Sequence, residues 1–531
     1  VRCAVPGLHS ELLGLVCACR ARGASDLCAP ASATEKTILE RRSSQRALIL
    51  LSLLVILTLL FVTRWRYMAH EVIDWDESTF VIIAADILRG GLPYVDTLDN
   101  KPPLQSFLLA GAMLVLGETL VTVRVLGAVA LAVAALALAG IARRVAGPLL
   151  AIGAGALLVV LASIPQLQPT LTEHLALAFL MPALWLLTGS TASLRRAFLI
   201  GLLLMAAALC RSNLGLVALA GLMLVALPVS VAGLRRALAC GLGMGLLLAA
   251  FALIYLAAGH FDRLVLGMVR LPAAYAADQT PAPILALVVI GGWFNTALAY
   301  PLVWAPVTLA ALAGVIARPA GSESAHRTDR TMQVAGLAVF LSMALSGDYH
   351  RHHLLQIAPF VLWFGFRAIA FGQPGMRRLA RALVAGAIVA ALIQNGPATA
   401  RLLASGAITD HHPLRRIAAQ IAADRAPDDD VLALDGTLVY WYLGLAPPIP
   451  AAVHPSNLLR PASRDALHHH GETGPEPLND LLAARPRYVV GAEPMPWYLA
   501  QDPEARALVA ALEQEYDLWL SDGRLRVLRR R

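Results

Sequence analysis

The chain has 531 residues, 58% of them hydrophobic and only 15% charged, with a mean hydropathy of +0.65. Ordinary soluble domains are about a quarter charged, so the composition excludes a soluble enzyme and points to an α-helical polytopic membrane protein. The formal charge of +8 does not argue for nucleic acid, because the arginines stand in short clusters between apolar runs, the pattern that sets membrane topology.

In chain order, residues 1–45 have an Arg/Ser/Ala-rich, low-complexity character and are read as a disordered cytosolic tail or a misjudged start. They hold Cys3, Cys17, Cys19 and Cys28, whose spacing provides neither a disulfide framework nor the paired arms of a zinc site. Arg41, Arg42 and Arg46 precede a span at 47–63, which puts the N-terminus in the cytoplasm and residues 64–103 outside. The later arginine clusters, Arg143/Arg144, Arg195/Arg196, Arg235/Arg236, the loop from Arg318 to Arg330 and Arg377/Arg378, are cytosolic only if two crossings separate each neighbouring pair. That condition gives spans at 119–141, 148–164, 175–189, 197–209, 214–231, 237–257, 300–317, 332–346, 354–372 and 382–396, about eleven transmembrane helices in all. The apolar pieces 104–116 and 283–298 break the alternation if they cross, so both are expected as external interfacial helices. Residues 46–396 thus form the transmembrane domain. From 397 to 531 the composition turns polar and Pro-rich, with strand-like VLALD and RYVV and helix-like PLRRIAAQIAADR and PEARALVAALEQEY. A small C-terminal α/β extracytoplasmic domain is expected there.

The external loops collect the unusual polar groups: Asp74, Asp76, Glu77, Asp96, Asp99 and Lys101, then Thr172, Glu173 and His174, then Arg211, Ser212 and Asn213, and finally Asp348 to His353. Charges at a membrane are costly to desolvate and by default mark a site or a pathway. Asp76 has two readings, the N-cap of the amphipathic run STFVIIAADILR or a reactive carboxylate. Glu173 and Arg211 are equally open to a role as snorkelling interfacial residues. Lys101 is one of only two lysines, with Lys36, and its place in the NKPP turn suits a phosphate headgroup. The run His350-Arg351-His352-His353 offers imidazoles without evident ligand geometry, and His468 to His470 are expected in an exposed loop.

The first loop, with Asp76-Glu77 before Phe80, then Gly90-Gly91-Leu92-Pro93-Tyr94-Val95-Asp96, then Lys101-Pro102-Pro103-Leu104, resembles that of the GT-C polyprenyl-phosphate-sugar-dependent glycosyltransferases. The relevant branch contains the lipid A aminoarabinose transferases and protein O-mannosyltransferases. TLTEHLALAF is similar to that family's second acidic motif, DYHRHHLLQIAPF to its Y-x-x-H-Y-x-L-x-x-x-P segment, and DDDVLALDGTLVYWYLGLAPPI to the opening of its external domain. The resemblance covers roughly residues 46–445. At the turn where relatives carry R-x-Y-P-H-Y this chain has three histidines, and at the T-K-G turn it has Cys210-Arg211-Ser212.

The resemblance implies a GT-C-like fold and transfer of a sugar from a polyprenyl-phosphate donor to a lipid, glycan or protein hydroxyl. The reaction would run on the periplasmic side of a bacterial inner membrane. In that chemistry Asp76 is the general base for an inverting attack, and Glu77 and Glu173 orient the acceptor or a divalent cation. Lys101 and Arg211 bind the donor phosphate, assisted by His350 or His353. No cofactor is required, although Mg or Mn between Asp76 and Glu173 would suit the oxygen donors. The competing readings are an undecaprenyl-linked glycan polymerase or ligase, and a secondary transporter, which would hold its charges near the midplane in repeated halves.

Overall fold

The computed structural model describes residues 33–531 except 69, 190–192, 278–279, 319–321, 406–411, 455 and 494–502. It divides into two units, Val1–Leu51 and Ser52–Arg531. In the first, the described residues are helical and belong to α1 (Ala33–Arg64), so helix starts before the expected boundary at 46. The four N-terminal cysteines lie outside the described residues.

In the second unit nearly every apolar run is a helix, because hydrocarbon leaves a backbone no partner but itself. After α2 (Trp75–Leu88) and α3 (Leu104–Leu116) come α4 (Leu120–Ala142), α5 (Pro148–Leu161), α6 (Thr172–Leu187), α7 (Leu194–Cys210), α8 (Gly215–Ala226) and α9 (Val231–Ala257). They are followed by α10 (Leu271–Ala277), α11 (Ala282–Ala299), α12 (Trp304–Ile316), α13 (Glu323–Ala344), α14 (Leu354–Phe371) and α15 (Pro374–Ser405). Five segments, within α1, α4, α9, α11 and Arg351–Phe371, are long and apolar enough to cross a bilayer, and the chain is a mostly helical, multi-pass membrane protein. On α9, Leu234, Leu238, Leu242 and Leu246 face outward at four-residue spacing and are exposed. Its opposite face is built for close approach: a Cβ at Gly243 would come within 2.1 Å of the Phe198 carbonyl, and one at Gly201 on α7 within 1.9 Å of that of Cys240.

Buried polar side chains tie helix ends together. Arg64 donates to the carbonyls of Leu167 and Gln168, fixing the end of α1 to the turn before α6. Asn213 donates to Ser342 and Gln356, joining the α7–α8 turn to α13 and α14. The residues flanking α11 make bonds of the same kind, Tyr275 to Asp348 and Tyr300 to Gln166, each at 3.0 Å.

The C-terminal region contains α16 (Pro413–Asp424), α17 (Pro461–His469) and α18 (Pro503–Glu515) with a four-stranded sheet. Its strands β1 (Val431–Ala433), β2 (Tyr488–Ala492), β3 (Tyr516–Asp522) and β4 (Leu525–Arg530) run in the order β1-β2-β4-β3. β1 pairs parallel to β2, which pairs antiparallel to β4. β3 and β4 form a hairpin turning at Gly523, φ +62°. Three details depart from expectation. α15 continues through residue 397, Tyr516 starts a strand where the helix was expected to continue, and His468 and His469 end a helix where a loop was expected.

This region packs on the first loop through backbone bonds. Leu98 N–H donates to the Pro450 carbonyl at 2.9 Å, and Asn457 donates to the Leu98 carbonyl at 3.0 Å. The Glu71 carboxylate accepts from Leu414 N at 2.7 Å and Arg415 N at 2.8 Å, so a first-loop acid satisfies the free amides at the start of α16.

Candidate active site

The DWDE stretch separates into three roles. Asp74, with extended φ −148° and ψ 147°, is the N-cap of α2: its Oδ1 accepts from Asp76 N at 2.9 Å. The capping role weighed for Asp76 therefore belongs to Asp74, and the Asp76 carboxylate is left to face other groups. Its Oδ1 lies 3.4 Å from His454 Nε2, in the C-terminal region. Burial alone would raise the Asp76 pKa, but the charge of Lys101, the bond from His454 and the charge of His352 hold it well below the usual carboxylate range. Asp74 shifts the other way, pushed up by burial and by Asp76.

Glu77, expected at the reacting centre, is instead 2% exposed, and partners occupy both its oxygens. Arg124 NH2 donates to Oε2 at 2.9 Å and Thr170 N–H to Oε1 at 2.7 Å. Arg124 also donates to the Tyr67 carbonyl, so the pair clamps α2, α4 and the turn before α6. Glu77 is thus one half of a buried ion pair, next in the chain to Asp76.

The second cluster lies where α6, the α7–α8 turn and the turn before α14 meet. Arg211 NH1 is 2.8 Å from Glu173 Oε1 and donates to Thr172 Oγ1 at 2.8 Å, which in turn donates to Glu173 Oε2 at 3.1 Å. His352 Nε2 is 3.8 Å from the same Glu173 oxygen. One ligand atom each from Glu173, His352 and His353 lies within 4.8 Å of the others, so a cation pocket in this site would centre on that trio. A pocket built from Asp76 and Glu173, the pair considered from sequence, is not among the clusters found in the described residues. The Arg211 guanidinium already neutralises Glu173, and a cation would have to compete with it.

The three histidines pack together, with ring centroids 5.4 Å apart for His350–His352 and 4.6 Å for His352–His353. Beside them Asp348 Oδ2 accepts from His350 Nε2 at 3.1 Å, Arg460 NH2 at 2.9 Å and Tyr275 OH at 3.0 Å. The Arg460 guanidinium lies 4.0 Å above the Tyr275 ring. Lys101 donates to Asn100 Oδ1 at 2.7 Å and is near enough to Asp76 to stabilise its charge.

The bond to Asp348 raises the His350 pKa, as do the charges of Asp348, Asp76 and Asp74, against burial. A raised histidine contributes stability that is full below its unfolded value of about 6.5 and is lost as pH rises through the folded value. The unfolding free energy in detergent is therefore expected to decline above about pH 6.5, by no more than about 1 kcal/mol because the pair is half exposed, and the melting midpoint is expected to fall with it. His350→Gln should remove that decline. An unchanged pH profile in the variant would assign the decline to another group.

Asp76, Lys101, Glu173, Arg211, His350 and His353 are thus gathered on one face by four separate turns. His454, Arg460 and Tyr275 join them without having been singled out from sequence. His454 and Arg460 come from a Pro-rich stretch whose contact with the first loop only tertiary structure reveals, and Tyr275 follows a long span.

The chain is thus a helical membrane bundle with an acidic first loop, a second acid opening a later helix and a C-terminal region bonded to the first loop. Comparison with solved structures finds chains of similar fold. The chain is similar to ArnT from Cupriavidus metallidurans bound to undecaprenyl phosphate, with 16% identity over 90% of this chain and 97% of that one and a TM-score of 0.58. Apo ArnT matches at 15% identity over 91% and 98%, TM-score 0.57. The Archaeoglobus fulgidus oligosaccharyltransferase tethered to an acceptor peptide matches at 12% identity over 89% and 72%, TM-score 0.50. No family model matches the sequence, and no curated protein matches it. The fold is similar to that of the two ArnT structures, in keeping with the GT-C-like fold that the first-loop resemblance implied.

Proposed function

We propose that the protein is a membrane glycosyltransferase that moves a sugar from a polyprenyl-phosphate donor to an acceptor hydroxyl on the external face, with inversion. The observation that carries this reading is the placing of the Asp76 carboxylate beside the Lys101 ammonium and the His454 imidazole, within a GT-C-like fold. Asp76 accepts the acceptor's proton as the acceptor oxygen bonds to the anomeric carbon and the bond to the donor phosphate breaks. A carboxylate held ionised suits a late proton transfer, when the attacking oxygen has become strongly acidic. Lys101 and Arg211 receive the phosphate charge as it develops, with His350 and His353 beside them. Glu173 keeps Arg211 and His352 in place, and no step requires a metal. An Mg or Mn ion, if bound, would supply additional charge for the phosphate, and Glu173 with His352 and His353 would hold it.

The bonds of Tyr275 and Tyr300 to the outer turns support α11 lying along the external surface, and hence the count of about eleven spans with the C-terminal region outside. The same reading puts the protein in a bacterial inner membrane with a cytoplasmic N-terminus. A glycan polymerase or ligase shares the first-loop chemistry but moves an oligosaccharide. A transporter fits less well, because the described charges gather at the outer turns.

Lys101→Ala tests the donor side. It is expected to raise the KM for the polyprenyl-phosphate sugar by about tenfold, the worth of one charge-assisted contact, and to leave the acceptor KM unchanged. Unaltered donor kinetics would remove Lys101 from the phosphate site.

A further inference from the structure

A cavity of about 580 Å³ opens between the first loop and the C-terminal sheet, and none of the cations assigned to the donor lines it. We propose that this cavity is the acceptor site and that it takes a saccharide unit free of phosphate and carboxylate groups. The proposal rests on the transferase reading above and gives it an acceptor class.

Size, chemistry and position support it. The volume lies within the range of roughly 300–1,000 Å³ common for small-ligand sites, enough for one or two sugar rings. The walls present His70, Asp74, Trp75, Asp435, Asp522 and Arg524. Carboxylates accept from sugar hydroxyls, and an indole offers an apolar face to a ring. These groups are held in place: Asp435 accepts from Gly436 N at 2.7 Å, from the Trp75 indole and from Arg524 at 3.4 Å, and Asp522 is held by Arg416 Nε at 3.0 Å. Carboxylates outnumber cations on the walls, which disfavours an anionic occupant.

Asp74 and Trp75 line the cavity and Asp76 is the next residue, with the Asp74 side chain bonded to the Asp76 amide. The wall and the base are therefore in fixed register. Charge separates the two substrates, the anionic donor going to Lys101 and Arg211 and the uncharged or amino saccharide to the cavity.

The test uses the full chain in liposomes with a labelled polyprenyl-phosphate sugar. The probes are the methyl glycosides of glucose, galactose and glucosamine, compared with glucose 1-phosphate and glucuronic acid. At least one methyl glycoside is expected to stimulate polyprenyl-phosphate release, and the anionic sugars are not. Val72→Trp, which fills the cavity from a half-exposed loop position, should abolish the stimulation while unstimulated hydrolysis of the donor stays within about twofold. Asp435→Asn should raise the glycoside KM by about tenfold without changing the donor KM. The proposal is overturned if no glycoside stimulates release, if anionic sugars stimulate as well, or if both variants behave as wild type. Absence of any release by the unmodified protein would instead overturn the transferase reading itself.

Discussion

Asp76→Asn is expected to lower sugar transfer by about 10²–10⁴-fold, the usual worth of a positioned general base, while the protein inserts and melts as before. The amide keeps the size of the carboxylate and the capping bond of α2, since the cap is Asp74 and it bonds the backbone of residue 76. What is lost is a proton acceptor that Lys101, His454 and His352 hold ionised. The measurement is single-turnover transfer from a labelled donor, with the melting midpoint recorded on the same preparation. Transfer within about threefold of wild type would remove Asp76 as the base. Loss of activity together with a collapsed midpoint would assign it a structural role.

Arg211→Ala carries the second large effect, and it combines two costs. The guanidinium is 8% exposed and pairs with a Glu173 that is 1% exposed, so truncation leaves a buried carboxylate uncompensated. Breaking such a pair costs about 3–5 kcal/mol. It also removes a cation proposed for the departing phosphate, so transfer by whatever folded protein remains should fall by at least about 100-fold. The two costs separate in the double variant Arg211→Ala with Glu173→Gln, in which stability should largely return and activity should not. Arg211→Lys keeps the charge without the forked geometry and should lie between. Full activity in the stable double variant would contradict the phosphate role.

The arrangement of helices was largely legible in the sequence, because lipid solvent forces apolar runs into helices and the arginine clusters fix their order. α2 to α9 fall close to the expected segments, as do the strands in VLALD and RYVV, whose parallel pairing only the structure shows. The β3–β4 hairpin was missed although Asp522-Gly523 between two alternating runs carries its signal. The site was legible residue by residue but not in its pairings. Spacing alone cannot say whether Asp74 or Asp76 turns the backbone into α2, and that choice decides which carboxylate is left to react.

The pairing of Glu77 was missed for a related reason. Its partner Arg124 sits inside the apolar run of α4, and a charge in a span implies a buried counter-charge, so the signal for a structural pair was present. His454 and Arg460 had no local signal, since they reach the first-loop acids and Asp348 through the packing of residues far apart in the chain.

The most direct test of the central claim is to incubate the purified protein in liposomes with a labelled polyprenyl-phosphate sugar and an envelope extract as acceptor, and to follow both products. The account predicts free polyprenyl phosphate in step with transfer of a single sugar, on the face that carries the C-terminal region, and neither product with Asp76→Asn. Transfer of an intact oligosaccharide, or passage of substrate across the bilayer without release of polyprenyl phosphate, would contradict it.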